Sequence, residues 1–368
     1  MKVLTVLGTR PEIIRLCRVI EKLDRFCEHR LVHTGQNFED RLSDIFFQEL
    51  AVRRPDYSLN VREKSFGQQV GSILAKIETV LREEMPDAVL ILGDTNSGLC
   101  AIIAKRLGIP VFHMEAGNRC YDDRVPEEVN RRIIDHSSDI LMPYTHRSKE
   151  NLLREGISRE SIFVIGNPIY EVLNHFSQEF EQSNIFATLG LEKKSYFLVT
   201  MHRAENVDIE GRLKNLVKTL ELLGEKYKKP IICSLHPHTK NKMEQFGFSL
   251  EHDYIKYLTP LGFFDFIALE KNAFCVLTDS GTVQEECCIF NVSNLTMRDV
   301  TERPETIECG SNILTSVEPE LILKSVALVE ETFNWKVPDE YTEQNVSSKV
   351  LNIILGYYEN KYKKGSFI

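Results

Sequence analysis

Carboxylates follow two apolar segments in the first half of the chain, at the point where each segment ends. Residues 88–92 lead into Asp94, and residues 111–114 lead into Glu115. Burying a carboxylate directly after a strand costs free energy unless the group is paired or takes part in chemistry. Asp94 could also serve only as the N-cap of the next helix. Both acids are candidates for proton transfer, because open α/β sheets bind ligands at the carboxyl ends of their strands.

A third acidic region begins at Pro126, where a helix is predicted to start with Glu127 and Glu128 in its first turn. Proline followed by acids is the preferred composition of a helix N-terminus, so at least one of the two glutamates has a sufficient structural explanation. Arg131 follows on the same helix. This region has more charged residues than helix capping requires, so a functional interpretation stays open.

The apolar residues 274–278 end at Asp279-Ser280-Gly281, and the chain then restarts as a helix whose first turn is predicted to hold residues 284–286. The N–H groups of Gly281 and Thr282 would point at a phosphate, and the helix dipole would favour an anion there. Glu286, one turn further on, could bind vicinal hydroxyls such as those of ribose. An ordinary Ser-capped helix would explain the same pattern, because capping signals are common.

Basic side chains also lie at predicted strand ends. Arg10 follows the first strand and Gly8, where it could bind a diphosphate through two hydrogen bonds, although a surface arginine in a turn would look the same. His202 follows the strand predicted at 196–200, and His236 follows the strand predicted at 231–235. Together with Ser280, these residues indicate a site for an anionic ligand.

Several classes of site are absent from the sequence. No pair of histidines or cysteines has the spacing of a strong zinc site, so we expect no metal. Neither the G-x-x-x-x-G-K-[ST] motif of P-loop enzymes nor the G-x-G-x-x-G motif of dinucleotide-binding folds occurs, so we expect no bound cofactor. Carboxylates and phosphate-binding groups without a cofactor indicate proton transfer on a sugar nucleotide, or transfer of its sugar.

Composition places the chain among ordinary globular proteins, with 42% hydrophobic and 27% charged residues. The net charge of −9 argues against a nucleic-acid partner and against an anionic membrane surface. The nine cysteines are odd in number and scattered, which is typical of a reduced, cytoplasmic protein. The apolar run at the N-terminus is too short for a secretory signal, and we expect no membrane span.

At 368 residues the chain is long enough for two domains, and strands alternate with helices throughout. We predict two Rossmann-like α/β domains that face each other across a cleft, at residues 1–168 and 169–344. The first would include a strand at 162–165. We expect the last helix, within 345–368, to pack back on the first domain.

Eight short motifs in register resemble the non-hydrolysing UDP-N-acetylglucosamine 2-epimerase family over nearly the whole chain. The motifs are Gly8-Thr-Arg-Pro-Glu12, Gly93-Asp-Thr95, Glu115-Ala-Gly117, Pro126-Glu-Glu128 with Asn130-Arg131, His202-Arg203 with Glu205-Asn206, His236-Pro237, Asp279-Ser-Gly281 with Gln284-Glu-Glu286, and Glu302-Arg-Pro-Glu305. The resemblance implies a fold like that of the glycosyltransferase B class and a homodimer. It also implies inversion at C2 of a UDP-2-acetamido sugar by elimination and re-addition of UDP.

The resemblance assigns roles to individual residues. The residues that match the family's catalytic positions are Asp94, Glu115, Glu127 and His202. The residues that match positions for the diphosphate, ribose or sugar are Arg10, His236, Ser280, Gly281 and Glu286. We also expect Arg131, Thr282 and Arg303 to bind the substrate. Which carboxylate removes the C2 proton and which returns it stays open.

Departures from the family pattern bear on the choice of sugar. Arg15 stands where the family has lysine, Thr282 stands where it usually has glycine, and the loop between Gly117 and Pro126 is shorter. That loop resembles a branch that converts UDP-2-acetamido-2,6-dideoxy-L-talose to UDP-N-acetyl-L-fucosamine for capsule or lipopolysaccharide. Conversion of UDP-N-acetylglucosamine to UDP-N-acetylmannosamine is the other possibility. A glycosyltransferase of the same fold, a hydrolysing relative and a non-catalytic binding protein are the remaining alternatives.

Overall fold

A computed structural model of the chain describes residues 1–36, 40–63, 65–331 and 334–357. The chain divides into two compact units, the first formed by residues 1–174 together with the chain from Asp339 onward, and the second by residues 175–338. No helix of the described residues is long and apolar enough to cross a membrane.

The first unit is built on a six-stranded parallel sheet with the order β3-β2-β1-β4-β5-β6. Its strands are β1 (Lys2–Leu7), β2 (Glu28–His33), β3 (Tyr57–Ser58), β4 (Ala88–Leu92), β5 (Val111–Met114) and β6 (Ile140–Met142). All five residues of β4 are buried, as expected of a central strand that is covered on both faces.

The helices of the first unit cover that sheet. They are α1 (Arg10–Phe26), α2 (Asp40–Glu49), α3 (Phe66–Glu84), α4 (Ala101–Arg106), α5 (Pro126–His136), α6 (His146–Arg154) and α7 (Ile169–His175), with 3₁₀ turns at Asn96–Cys100, Arg159–Ser161 and Asp339–Thr342. The last described helix, Val346–Tyr357, packs against α1. Of the helix predicted within 345–368, residues 358–368 lie outside the described part of the chain.

The second unit repeats the architecture with a parallel sheet of order β12-β11-β10-β7-β8-β9. Its strands are β7 (Phe197–Met201), β8 (Ile231–Leu235), β9 (Ile255–Leu258), β10 (Cys275–Thr278), β11 (Asn294–Thr296) and β12 (Asn312–Leu314). Its helices are α8 (Ser177–Glu181), α9 (Ile185–Leu189), α10 (Ala204–Val207), α11 (Glu210–Tyr227), α12 (Pro237–Gln245), α13 (Phe263–Lys271), α14 (Gly281–Phe290), α15 (Pro304–Glu308) and α16 (Pro319–Val329). We refer to the helix at Val346–Tyr357 as α17.

The strand predicted at residues 162–165 is wrong. This segment runs beside β6, and Phe163 N–H donates to Leu141 O at 2.9 Å, but only Ile162 forms a β-bridge. The segment therefore follows the edge of the sheet without forming a strand.

Candidate functional site

Asp94 follows β4 and is held by an arginine from α5. Nε and Nη2 of Arg131 lie 2.8 Å and 2.7 Å from Oδ2 of Asp94. Thr95, and not Asp94, occupies the N-cap position of the 3₁₀ turn at Asn96–Cys100, so the alternative in which Asp94 is only a helix cap is wrong. The carboxylate remains partly exposed, at 24% of its side-chain surface. A positioned, partly exposed carboxylate is suited to proton transfer.

The two glutamates at the start of α5 have different environments. Glu128 is fully buried and accepts hydrogen bonds from the N–H groups of Cys120 and Tyr121, each at 3.0 Å, and from Nη1 of Arg131 at 2.7 Å. Burial raises the pKa of Glu128, but the Cys120 N–H and Arg131 outweigh burial, so its pKa is below the usual value. Glu127 is only half-buried. Glu128 therefore holds the loop and Arg131, whereas Glu127 remains partly exposed.

Glu115 follows β5 in a left-handed backbone conformation, with φ of 64°. This conformation is strained for a residue other than glycine and is often found at functional sites. Its Oε1 accepts from Nδ2 of Asn118 at 3.2 Å, and its Oε2 lies 4.0 Å from Nη1 of Arg15. A Cβ atom on Gly93 would lie 3.9 Å from Oε2, so the carboxylate reaches the residue before Asp94.

Arg15, which stands where the family has lysine, is almost completely buried on α1. Its Nη1 donates to Oδ1 of Asn167 at 3.2 Å, and its guanidinium lies over the ring of Tyr144. The arginine therefore provides a positive charge beside Glu115 from within the protein.

A buried polar network lies behind the two strand-end acids. Nε2 of His113 lies 2.9 Å from the carbonyl oxygen of Gly93, and Nδ1 lies 2.9 Å from Oδ1 of Asp135. Oδ2 of Asp135 accepts from the N–H of Gly117 and from Nη2 of Arg119. Burial raises the pKa of Asp135, but His113 and Arg119 outweigh it and lower the pKa below the usual value. The network thus connects the turns that contain Asp94 and Glu115.

Arg10 is the first residue of α1, and its guanidinium lies 5.8 Å from the ring centroid of Phe46. The turn before it is held by Glu12, whose Oε2 accepts from the N–H groups of Gly8 and Thr9 and from the hydroxyl of Thr9. Burial raises the pKa of Glu12 to about 7, despite these hydrogen bonds. Glu12 belongs to the motif Gly8–Glu12, but its role in the turn is not predicted from the sequence.

In the second unit, Asp279 positions His202. Its carboxylate accepts from the N–H groups of His202 and Arg203 at 3.0 Å, and its Oδ1 lies 3.1 Å from Nδ1 of His202. Burial raises the pKa of Asp279, but the facing His202 and the two N–H groups outweigh it, so its pKa is about 2. The signal for Asp279 was the same as for Glu115, an acid directly after a buried strand, yet we did not predict this function.

Ser280 is the residue before α14, as predicted, but it does not cap the helix in the ordinary way. Within the described residues its hydroxyl makes no capping hydrogen bond to a backbone amide, and Oγ lies 3.1 Å from Oγ1 of Thr282. Gly281 begins the helix, and a Cβ atom there would lie 2.4 Å from Oε1 of Glu302. The helix begins earlier than predicted, so Glu285 and Glu286 lie in its second turn. Paired hydroxyls at a helix N-terminus are suited to bind a phosphate.

Glu286 is buried beside a second acid, Glu270 of α13. Burial raises the pKa of Glu270 well above its usual value, and the charge of Glu286 raises it further. Sγ of Cys287 donates to Oε1 of Glu270 at 3.2 Å. Burial and the nearby charge of Glu286 thus both disfavour a negative charge on Glu270. Its position in the apolar stripe of a helix is the only signal in the sequence that could have identified it.

Arg303 and His236 complete the predicted residues of this unit. Nε of Arg303 lies 2.6 Å from Oε1 of Glu285, and its Cζ would lie 4.0 Å from a Cβ on Gly281. His236 is the N-cap of α12, and its ring centroid lies 6.4 Å from that of His202.

Each unit therefore gathers its predicted residues at the carboxyl ends of three adjacent strands. In the first unit these strands are β1, β4 and β5, which precede Arg10, Asp94 and Glu115. In the second they are β7, β8 and β10, which precede His202, His236 and Ser280. The remaining predicted residues come from helices α5 and α14 and from the segment before α15.

A family model described as UDP-N-acetylglucosamine 2-epimerase matches residues 21–355. The chain belongs to this family. The UDP-N-acetylglucosamine 2-epimerase of Methanocaldococcus jannaschii is 43% identical over 347 residues, which cover 92% of this chain and 95% of the relative. The UDP-2,3-diacetamido-2,3-dideoxy-D-glucuronate 2-epimerase of Pseudomonas aeruginosa is 37% identical over 329 residues, covering 88% of this chain and 91% of the relative.

Solved structures of epimerases agree with this assignment. The M. jannaschii enzyme in complex with UDP-GlcNAc and UDP has a TM-score of 0.92 at 42% identity, covering 97% of this chain and all of that one. The enzyme of Rickettsia bellii also has a TM-score of 0.92, at 41% identity, with both chains fully covered. The predicted family, the predicted class of enzyme and the predicted fold class, two Rossmann-like units of the glycosyltransferase B kind, are confirmed.

Proposed function

We propose that this epimerase inverts C2 of a UDP-2-acetamido sugar. The observation that most directly supports the proposal is the placement of Asp94 and Glu115 at adjacent strand ends, in a chain that belongs to the epimerase family. The named relatives act on UDP-N-acetylglucosamine or on a UDP-diacetamido sugar acid, so a UDP-2-acetamido sugar is their common substrate class.

The reaction proceeds by elimination and re-addition. A base removes the C2 proton while the bond between C1 and the diphosphate oxygen breaks, which leaves a 2-acetamidoglycal and free UDP. An acid then protonates C2 from the opposite face, and UDP adds back to C1. Departure of the diphosphate is necessary because C2 is not adjacent to a carbonyl group and its proton is barely acidic.

The first unit supplies the groups that transfer protons. Asp94, Glu115 and Glu127 are the acid/base carboxylates, and removal of any one of them is expected to slow turnover by about 10²–10⁴-fold. Arg131 holds the Asp94 carboxylate through two contacts to Oδ2. Arg10 binds the diphosphate.

The second unit supplies the groups that bind UDP. Ser280, Gly281 and Thr282 bind the diphosphate at the N-terminus of α14, and Glu286 accepts from the ribose hydroxyls. His202 assists departure of the diphosphate, and His236 contributes to its binding. Arg303 lies beside Gly281, pairs with Glu285 and contributes to substrate binding at this site.

The sugar that we propose is the 6-deoxy one, UDP-2-acetamido-2,6-dideoxy-L-talose, with UDP-N-acetyl-L-fucosamine as the product. The short loop before Pro126, which resembles that of the 6-deoxy branch, supports this choice. Such a product would enter capsule or lipopolysaccharide synthesis. We also propose that the enzyme is a cytoplasmic homodimer.

Incubation of the purified enzyme with each UDP sugar, followed by NMR of the products, tests both levels of the proposal. We expect conversion of the 6-deoxy-talose substrate to the fucosamine. If only UDP-N-acetylglucosamine is converted, the proposed epimerase activity stands and the choice of sugar is wrong. Release of free sugar and UDP from both substrates, or transfer only to an added acceptor, would overturn the epimerase proposal.

A further inference from the structure

Two cysteines of the second unit lie close together behind the proposed UDP site. Sγ of Cys288 on α14 and Sγ of Cys309 at the end of α15 are 3.7 Å apart, and both are free thiols. A disulfide has an S–S distance of about 2.0 Å, so the sulfurs would have to approach by roughly 1.7 Å. Gly310, which follows Cys309, has a φ of 87° that suits glycine and lies at the surface.

The two thiols differ in exposure and in acidity. Cys288 is buried, whereas Cys309 is half-buried and within reach of a small oxidant. The contact between the two thiols lowers the pKa of Cys309, and the hydroxyl of Ser311, 3.4 Å from Cys309 Sγ, lowers it further against the effect of burial. The same contact raises the pKa of Cys288. An accessible cysteine with a second thiol directly behind it is the arrangement of an attacking and a resolving cysteine.

We propose that Cys288 and Cys309 form an oxidation site that takes a small hydroperoxide and closes to a disulfide. The thiolate of Cys309 attacks the O–O bond of the peroxide, which forms a sulfenic acid and releases hydroxide. The sulfur of Cys288 then attacks the sulfenic sulfur, the S–S bond forms, and the second oxygen leaves as water. In total two thiols and one hydrogen peroxide give one disulfide and two waters, and a reducing thiol reverses the step.

The disulfide would act on the proposed UDP site, and this consequence rests on the proposed function. Cys288 lies two residues after Glu286 on α14, and Arg303 directly precedes α15 and pairs with Glu285. Drawing the end of α15 toward α14 would displace this ion pair, which lies beside Gly281. We therefore expect oxidation to raise the KM for the UDP sugar at least about threefold, with recovery after reduction.

The single tryptophan of the chain provides a reporter that does not depend on activity. Nε1 of Trp335 donates to the carbonyl oxygen of Cys288 at 3.0 Å. Disulfides quench a neighbouring indole, so closure of the bond should lower tryptophan fluorescence.

The test treats the reduced, full-length enzyme with one equivalent of hydrogen peroxide and follows fluorescence, intact mass and peptides under non-reducing conditions. We expect the loss of two hydrogens, a cross-linked Cys288–Cys309 peptide and a fall in fluorescence that dithiothreitol reverses. Cys288→Ser and Cys309→Ser should lose the cross-link. Cys287→Ser, whose side chain contacts Glu270 and not Cys309, and Cys27→Ser, which is also half-buried, should keep it.

Absence of the cross-linked peptide in the wild-type enzyme would overturn the proposal even if a variant failed to fold. Oxidation of the wild-type enzyme that joins Cys309 to a cysteine other than Cys288 would also overturn it. If the cross-link forms but the KM does not change, the oxidation site stands and its effect on UDP binding is wrong. An enzyme that forms the cross-link but acts on no UDP sugar would contradict the proposed function instead.

Discussion

Oδ1 of Asp279 lies 3.1 Å from Nδ1 of His202, and the same carboxylate accepts from the backbone N–H groups of His202 and Arg203. One buried acid therefore fixes both the main chain and the ring of the proposed catalytic histidine. Because Asp279 also directly precedes Ser280, it connects the histidine to the proposed diphosphate site.

Asp279→Asn should lower kcat by about 10²-fold, because the amide cannot accept all of these hydrogen bonds and the ring of His202 loses its orientation. Asp208→Asn is the matched control, since Asp208 also pairs with a histidine, His238, at 2.7 Å, but on the exposed surface of the same unit. The comparison uses steady-state rates at saturating UDP sugar. Equal rates for the two variants would contradict the positioning role.

Asp279 should also contribute to stability in acid. Its pKa is about 2 in the folded chain, below the 3.8 that is usual for an aspartate, so its contribution is present above pH 3.8 and is lost as the pH falls toward 2. The loss corresponds to about 2 kcal/mol. The difference in unfolding free energy between wild type and Asp279→Asn should therefore shrink over this range, as measured by urea titrations.

Glu12→Gln should change the pH dependence of stability in the opposite direction. The pKa of Glu12 is about 7 in the folded chain, above the 4.5 that is usual for a glutamate, so its contribution is full below pH 4.5 and is lost as the pH rises through 7. Glutamine can still accept from the Gly8 and Thr9 N–H groups and has no proton to lose. From pH 5 to pH 8 the unfolding free energy of the variant should rise by about 2 kcal/mol relative to that of wild type. Glu21 is an exposed acid on α1, and Glu21→Gln should show no such trend. If the stability of Glu12→Gln followed the same pH profile as that of wild type, the raised pKa of Glu12 would be refuted.

Glu127→Gln and Glu128→Gln should separate catalysis from stability. Glu127→Gln should lower kcat by about 10²–10⁴-fold and leave the melting temperature unchanged. Glu128→Gln should lower the unfolding free energy by about 3 kcal/mol, because it disrupts the buried pair with Arg131. Turnover and thermal unfolding of both variants are the measurements. A catalytic defect with unchanged stability in Glu128→Gln would reverse the two roles.

Gly281→Ala should weaken UDP binding and lower stability. The new methyl group would lie 2.4 Å from Oε1 of Glu302, whose other oxygen accepts from buried Arg298 at 2.9 Å, so the acid has little room to move. Gly211→Ala on the exposed side of α11 meets no atom within 4 Å and should be neutral or stabilising by about 0.5–1 kcal/mol. Calorimetric titration with UDP compares the two, and unchanged affinity in Gly281→Ala would count against the proposed diphosphate site.

The sequence predicted the central strands well because they are continuous apolar runs that end in glycine or a polar residue. β4 and β5 have the predicted bounds, and the acids after them lie at adjacent strand ends as expected. The failures are short or edge elements. β3 has two residues, β12 has three and begins with a polar residue, and the segment at 162–165 forms only one β-bridge to β6.

The residues behind the site could not be predicted, because their partners are distant in the sequence. Asp135 meets His113 and Arg119 only after folding, and Glu270 meets Glu286 from a different helix. The distinction between Glu127 and Glu128 depends on which of them faces Arg131 and the N–H groups of the preceding loop. The sequence contains charged residues at these positions, but only the folded structure shows which of them are paired.

Exchange of the C2 hydrogen tests the account most directly. The enzyme is incubated in D₂O with UDP-2-acetamido-2,6-dideoxy-L-talose and, separately, with UDP-N-acetylglucosamine, and the sugars are analysed by NMR and mass spectrometry. We predict one deuterium at C2 of every epimerised product and a strongly reduced rate of incorporation in Asp94→Asn and Glu115→Gln. Epimerised product that retains its original hydrogen at C2, or incorporation that both variants leave unchanged, would contradict proton transfer by these carboxylates.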